Sequence, residues 1–172
     1  HTTARKIMEM LMMPLATICV AVATFTGQNY GAGNMARVKQ GTKAGLLLCF
    51  SWSAIACLAV FFFTPQLLQL IAEDNNAGIL KNGSTYLKVG LPFFFPLSVL
   101  LVLRNVLQGI GQRIVPVVVS GTELLGKIIA IQFLVPRYEY FGVCITEPVI
   151  WVIDGILVLV YYLIYCRSSR VP

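Results

Sequence analysis

The chain has 172 residues, 58% of them hydrophobic and 12% charged, with a formal net charge of +6. Soluble domains carry roughly a quarter of their residues as charged ones, so a globule of this composition would lack polar surface, and a soluble domain or soluble enzyme is excluded. The excess of Lys and Arg falls mostly between long apolar blocks, which points to membrane topology and lipid headgroups rather than to nucleic acid.

A helix crosses a bilayer core with about 20 consecutive, mostly apolar residues. Five such blocks are present, at residues 7–26, 44–71, 86–110, 114–135 and 148–166. They predict an all-α integral membrane protein, a bundle of about five transmembrane helices. The first block is too long for a secretory signal and lacks a small-residue cleavage site. It contains Pro14, and Glu9 at its start is placed at headgroup level.

The stretch Thr26-Gly27-Gln28-Asn29-Tyr30-Gly31-Ala32-Gly33-Asn34, followed by Arg37 and Gly41, joins the first two blocks. Its glycines permit tight turns and close helix approach. A phosphate-binding loop is ruled out by the lack of a preceding strand and of a GKS/T or GxGxxG pattern. The second block carries Pro65 near its end, and Glu73 to Gly78 then read as an exposed polar turn. The third block contains Pro92 and Pro96. Proline removes a backbone donor, so the prolines of these three blocks predict interrupted helices, either as cavity-lining, moving elements or as the ordinary proline content of membrane spans. Toward the end of the third block, Arg104 and Gln108 lie one turn apart with Asn105 beside Arg104. They predict a structural hydrogen-bonding cluster.

Ionisable side chains within a bilayer are costly and usually face the bundle interior. In the fourth block Glu123 and Lys127 stand at i and i+4, in the favourable order for an intrahelical ion pair, which is either structural or a charge pair that a proton or a substrate disturbs. Pro136 to Thr146 read as a connection with interfacial tyrosines. In the fifth block Asp154 lies roughly 9 Å along a helix from Pro148, at about 1.5 Å per residue, and has no Lys or Arg at i±3 or i±4. Its partner must come from another helix, from water or from its own protonation. Proton or cation coupling and a position in a wet vestibule near the surface are both open to it.

Cys19, Cys49, Cys57, Cys144 and Cys166 form no CxxC pair and have no neighbouring histidine, so packing is expected of them rather than disulfides or metal binding. His1 is the single histidine, and no nucleophile stands at helical spacing from a base. No enzymatic activity, no metal and no cofactor are expected. Lys and Arg favour cytoplasmic loops. Arg37, Lys39, Lys43, Arg104, Arg113, Arg167 and Arg170 fall on one side, and Arg5, Lys6, Lys81, Lys88 and Arg137 on the other, with Glu73, Asp74, Glu139 and Glu147. The glycine-rich stretch and the C-terminus are therefore placed in the cytoplasm.

Several motifs in order resemble the multidrug and toxic compound extrusion (MATE) family. The run from Gly27 to Arg37 is similar to the family's G-Q-N-x-G-A-G-x-x-x-R, and Arg104 to Gly111 to its R-x-x-L-Q-G-x-G. Glu123-Leu124-Leu125-Gly126-Lys127 is similar to its E-L-x-x-R, with Lys for the commoner Arg, and Pro148 to Trp151 to its P-x-x-W. The segment from Ala4 to Pro14 resembles the start of the helix before the glycine motif, with Met8 where the family often has an acid. The resemblance implies twelve helices in two six-helix lobes, the chain spanning residues 1–172 of a C-terminal lobe, helices eight to twelve. It implies export of drug-like or cationic amphiphilic compounds against Na+ or H+ entry, by alternating access, in the plasma membrane. The partners implied are the lipid bilayer, a small organic substrate and an N-terminal lobe absent from this sequence. A fragment of a longer protein is therefore expected, one that folds poorly alone. The third block contains no Asp or Glu, so no acidic cation site is carried over to it, and no ion-binding residue is transferred. A lipid-linked oligosaccharide flippase of the related superfamily, or a truncated non-transporting membrane subunit, are the alternatives.

Overall fold

The computed structural model describes residues 2–71 and 77–168. Glu73, Asp74, Asn75 and Asn76 of the expected polar turn, and Arg170, lie outside them. The elements in chain order are α1 (Thr2–Gly31), α2 (Met35–Ile71), α3 (Ala77–Gly90), one turn of 3-10 helix (Leu91–Phe93), α4 (Phe94–Gly109), α5 (Ile114–Phe133) and α6 (Val135–Ser168). Among the described residues five spans are long and apolar enough to cross a membrane: Ala4–Gly31, Met35–Thr64, Asn82–Gly109, Ile114–Phe133 and Phe141–Arg167. Helix is the outcome because hydrocarbon offers backbone N–H and C=O groups no partners, so each segment must bond itself.

α4 is the central element. It packs against α1, α2 and α6, while α5 rests mainly on α6. Leu103, Val106 and Leu107 of α4 join Leu15 and Cys19 of α1, Cys49 of α2 and Val158 of α6 in the buried core. The rings of Phe94 and Trp151 meet with centroids 6.3 Å apart and join α4 to α6. α5 buries a stripe at Val115, Val119 and Ala130. Its other face exposes Val117, Leu124, Leu125, Ile128 and Phe133, a surface suited to lipid or to another apolar partner and not to water.

The third apolar block is broken. Pro92 and Pro96 have no N–H for the carbonyls one turn before them, and the chain passes from α3 through the 3-10 turn into α4. The Cys57 thiol of α2 donates to the Leu91 carbonyl at 3.4 Å, in that turn. Pro14, by contrast, lies within a continuous α1. It leaves the Met10 carbonyl without its usual donor, and the next carbonyl, of Leu11, accepts the Trp52 indole N–H from α2 at 2.8 Å. A neighbouring helix here supplies the polar contact that the bilayer cannot.

Two expected loops are helical. The glycine-rich stretch is a three-residue link between long helices, because Gly27 to Gly31 close α1 and Arg37, Lys39 and Lys43 open α2. Likewise Pro136 to Thr146 form the first turns of α6. Leu134 alone separates that helix from α5, and hydrogen bonds from Leu134 N–H to Ala130 and from Tyr138 N–H to Leu134 carry the helical pattern through the bend. Pro136 is tolerated there because the first helical turn has no intrahelical acceptor for its N–H. Cys19, Cys49, Cys57, Cys144 and Cys166 form no disulfide among the described residues, and Cys19 and Cys49 face one another across the α1–α2 interface.

Candidate functional site

The α1–α2 and α4–α5 links are built alike. Gly33 (φ +72°) and Gly111 (φ +86°) take left-handed backbone just past a helix end, a conformation glycine adopts without a Cβ penalty. At the first link Gly33 N–H bonds Tyr30 carbonyl at 2.9 Å and Asn34 N–H bonds Asn29 carbonyl at 2.8 Å; at the second, Gly111 bonds Gln108 at 3.0 Å and Gln112 bonds Leu107 at 2.9 Å. These are paired helix C-caps of the Schellman type. Asn34 then caps the next helix, its Oδ1 accepting the Arg37 N–H at 3.1 Å. Gly27 and Gly109 serve close approach instead. A Cβ on Gly109 would lie 2.7 Å from the Ala23 carbonyl oxygen, and one on Gly27 3.3 Å from that of Gly109. The backbones of α1 and α4 therefore touch at this end of the bundle.

The motif residues thus separate in role. Gly33 turns the chain, and the Asn29 amide donates back to the Phe25 carbonyl at 2.8 Å. Gln28, Ala32 and Arg37 are exposed. Gly31 has open space around it. The expected Arg104–Asn105–Gln108 cluster disperses. Arg104 donates to Ser120 of α5 at 3.2 Å, Asn105 turns back to the Leu101 carbonyl at 2.8 Å, and Gln108 is exposed. One turn of helix places Arg104 and Gln108 on the same face, but their neighbours differ. Gln112, just past the Arg104–Gly111 motif, accepts from Tyr161 of α6 at 3.1 Å. Tyr30 and Tyr165 meet at 3.3 Å, fixing the end of α1 beside that of α6.

The opposite half of the bundle holds two ion pairs. Arg5 Nε donates to Glu9 Oε1 at 3.0 Å, and Lys127 Nζ to Glu123 Oε1 at 2.8 Å. Tyr86 of α3 engages Glu147 of α6. A cavity of about 170 Å³ is lined by Arg5, Glu9, Tyr86, Glu123, Lys127, Glu147 and Trp151, with Met8 and Met12. A second, of about 180 Å³, shares Arg5, Tyr86, Lys127 and Glu147. Three carboxylates against two cations leave the first cavity with an acidic excess. The Glu123–Lys127 pair was readable from the fourth block. Glu147 was not, because it looked like a loop charge. The readable signal was its spacing: Glu147, Trp151 and Asp154 are i, i+4 and i+7 on α6 and so share a face.

Asp154 is 1% exposed. The stretch of α6 long and apolar enough to cross a membrane runs from Phe141 to Arg167, which puts Asp154 thirteen residues from either end. It therefore sits at mid-span rather than near the surface, because α6 begins well before Pro148. Its partner comes from another helix: Thr122 Oγ1 of α5 lies 2.6 Å from Asp154 Oδ1, while Oδ2 is buried without a hydrogen-bond partner among the described residues. No group of three or more His, Cys, Asp or Glu placed to hold a metal occurs among the described residues.

A helical bundle with five apolar spans long enough to cross a membrane, an apolar core and a charged cavity defines a multi-pass membrane protein. The family model for MatE matches residues 1–131, and the chain belongs to that family. It is 20% identical over 174 residues to the probable multidrug resistance protein YoeA of Bacillus subtilis (strain 168), covering 99% of this chain and 37% of that protein. It is 21% identical over 142 residues to the probable multidrug resistance protein NorM of Thermotoga maritima, covering 83% of this chain and 30% of that protein. A solved structure described as the inward-facing conformation of a multidrug resistance MATE family transporter of the MOP superfamily superposes with a TM-score of 0.84 at 15% identity, over 98% of this chain and 40% of that one. That likeness establishes the fold. The chain spans about a third of the length of the two relatives.

Proposed function

We propose that the chain forms the C-terminal lobe of a secondary active transporter that exports drug-like or cationic amphiphilic compounds, driven by Na+ or H+ antiport through alternating access. The observation that carries this reading is the charged cavity between α1, α3, α5 and α6 inside a MatE-family bundle. Its acidic excess and its Trp151 and Tyr86 rings favour cations over anions. Both of its bases, Arg5 and Lys127, are already paired with carboxylates, which leaves little to hold a pyrophosphate.

Transport, not catalysis, is the proposed activity. The partners are the lipid bilayer, a second lobe against which the exposed apolar faces pack, and a small organic cation. The coupling ion acts by shifting the population between inward- and outward-open states. The plasma membrane is the proposed location, with the α1–α2 link and the C-terminus in the cytoplasm, since Arg37, Lys39, Lys43, Arg113 and Arg167 gather at that end of the bundle.

The test is accumulation of a fluorescent organic cation in efflux-deficient cells producing the protein at its full coding length. Lowered accumulation that collapses with the proton or sodium gradient supports the reading. Unchanged accumulation under both gradients overturns it.

A further inference from the structure

We infer that Asp154 is a proton-loading site at the middle of the membrane, and that the Thr122 hydroxyl converts its protonation into a change of hydrogen-bond partner between α5 and α6. The inference rests on the transporter reading, in which an ion crosses with each cycle.

The first argument is isolation. Asp154 Oδ2 is buried without a hydrogen-bond partner among the described residues, and neither Arg5 nor Lys127 of the described ion pairs is turned to the carboxyl. The next residue along α6, Gly155, lies close against α4, where an added Cβ would be 3.3 Å from the Pro96 carbonyl oxygen. The charged groups that face Asp154 are Glu123 of α5 and Arg104 of α4. Glu123 is turned to Lys127, and Arg104 to Ser120. From α3, Tyr86 engages Glu147, two turns away along α6, and on α6 itself Tyr161 donates to Gln112. An ionised carboxylate here has one oxygen in a low-dielectric wall with nothing to bond, an arrangement that a proton relieves.

The second argument is a count of hydrogens. Thr122 Oγ1 has one hydrogen and three acceptors within reach: Asp154 Oδ1 at 2.6 Å, the Val119 carbonyl at 2.9 Å and the Val118 carbonyl at 3.2 Å. It can donate to one of them at a time. With Asp154 ionised, the hydroxyl donates to Oδ1 and ties α5 to α6 by a charge-assisted bond. When hydronium gives a proton to Oδ1, leaving water, an O–H bond forms and the charge is lost. The acid then donates to Thr122 Oγ1, and the hydroxyl turns its hydrogen to the Val119 carbonyl of its own helix. The heavy atoms stay in place while the direction of donation reverses, and a strong interhelical bond becomes a neutral one. The charged cavity gives the proton its approach. Glu123, adjacent to Thr122, and Trp151, one turn before Asp154, both line it.

The test is a pH-difference infrared spectrum of the protein at its full coding length in lipid vesicles, with no exported compound present. A protonated-carboxyl band that grows as pH falls and is missing in Asp154→Asn is the expected result. Thr122→Val should shift that band and Thr122→Ser should restore its position. Should Asp154→Asn fail to fold, the Thr122 pair decides, since a band insensitive to both is not that of Asp154. A band unchanged in Asp154→Asn, or a carboxylate that stays ionised and responds only to Na+, overturns the inference. The readout is independent of export. Efflux without the band removes this inference and leaves the transporter reading, and the band without efflux does the reverse.

Discussion

Gly109 and Gly31 carry the same absent side chain and opposite consequences. Backbone oxygen stands 2.7 Å from where a Cβ of Gly109 would lie, whereas nothing stands within 4 Å of one on Gly31. Gly109→Ala must push α1 from α4, and overpacking of this kind costs about 1–3 kcal/mol. Gly31→Ala removes a flexible residue from a helix and should be neutral or stabilising by up to about 1 kcal/mol. Gly33→Ala lies between, with about 1–2 kcal/mol lost to a left-handed backbone. Thermal melting of the intact protein in mild detergent ranks the three, and an equal loss for Gly109→Ala and Gly31→Ala would contradict the α1–α4 contact. All three glycines belong to motifs visible in the sequence, but the motif alone could not separate the residue that turns the chain from those that let helices touch. The same limit applied to Asp154. Its lack of a helical-spacing partner was plain in the sequence, while Thr122 could be named only once α5 was set beside α6.

Helices here are joined by sparse polar contacts within apolar faces. Ser53 of α2 and Ser98 of α4 meet at 3.1 Å, and Ser98 also bonds the Phe94 carbonyl at 2.7 Å and Ser53 the Cys49 carbonyl at 2.8 Å. Each hydroxyl keeps a local backbone acceptor, so little is left unsatisfied when the other is removed. Interhelical hydrogen bonds in bilayers average about 0.6 kcal/mol. A double-mutant cycle of Ser53→Ala and Ser98→Ala, read by denaturant titration in micelles, should give a coupling near that figure, and strictly additive losses would show that the pair does not bond. The prolines show how element-level expectation and outcome diverge. Pro92 and Pro96, four residues apart, do break their block, whereas Pro14 remains inside α1. The difference lies in the surroundings, for Trp52 bonds the Leu11 carbonyl beside the proline's vacancy. Apolar blocks also understate the helices, since α1 and α6 run on into polar ends where helical hydrogen bonding continues without apolar side chains.

The bundle places the α1–α2 link, the α4–α5 link and the end of α6 together at one end, as the Gly27–Gly109, Tyr30–Tyr165 and Gln112–Tyr161 contacts require. Cysteines introduced at Asn34 and Arg113 should react with an impermeant thiol reagent from the cytoplasmic side, and one at Arg137 from the opposite side. Labelling of Asn34→Cys and Arg137→Cys from the same side would contradict the arrangement. The isolated 172-residue chain should be polydisperse in mild detergent, because the exposed faces of α2 and α5 are apolar well beyond what a free surface carries; monodisperse, protease-resistant monomers would argue against a partner lobe. Composition and block length by themselves determined that this chain spans a membrane as helices, and how many times, because burying unbonded backbone in hydrocarbon leaves no other solution. Ordered motifs determined its family. Tertiary structure alone decided which polar groups share a site. Arg5, Tyr86, Glu123 and Glu147 belong to separate stretches of sequence, and only the rotation and pairing of their helices bring them around one cavity.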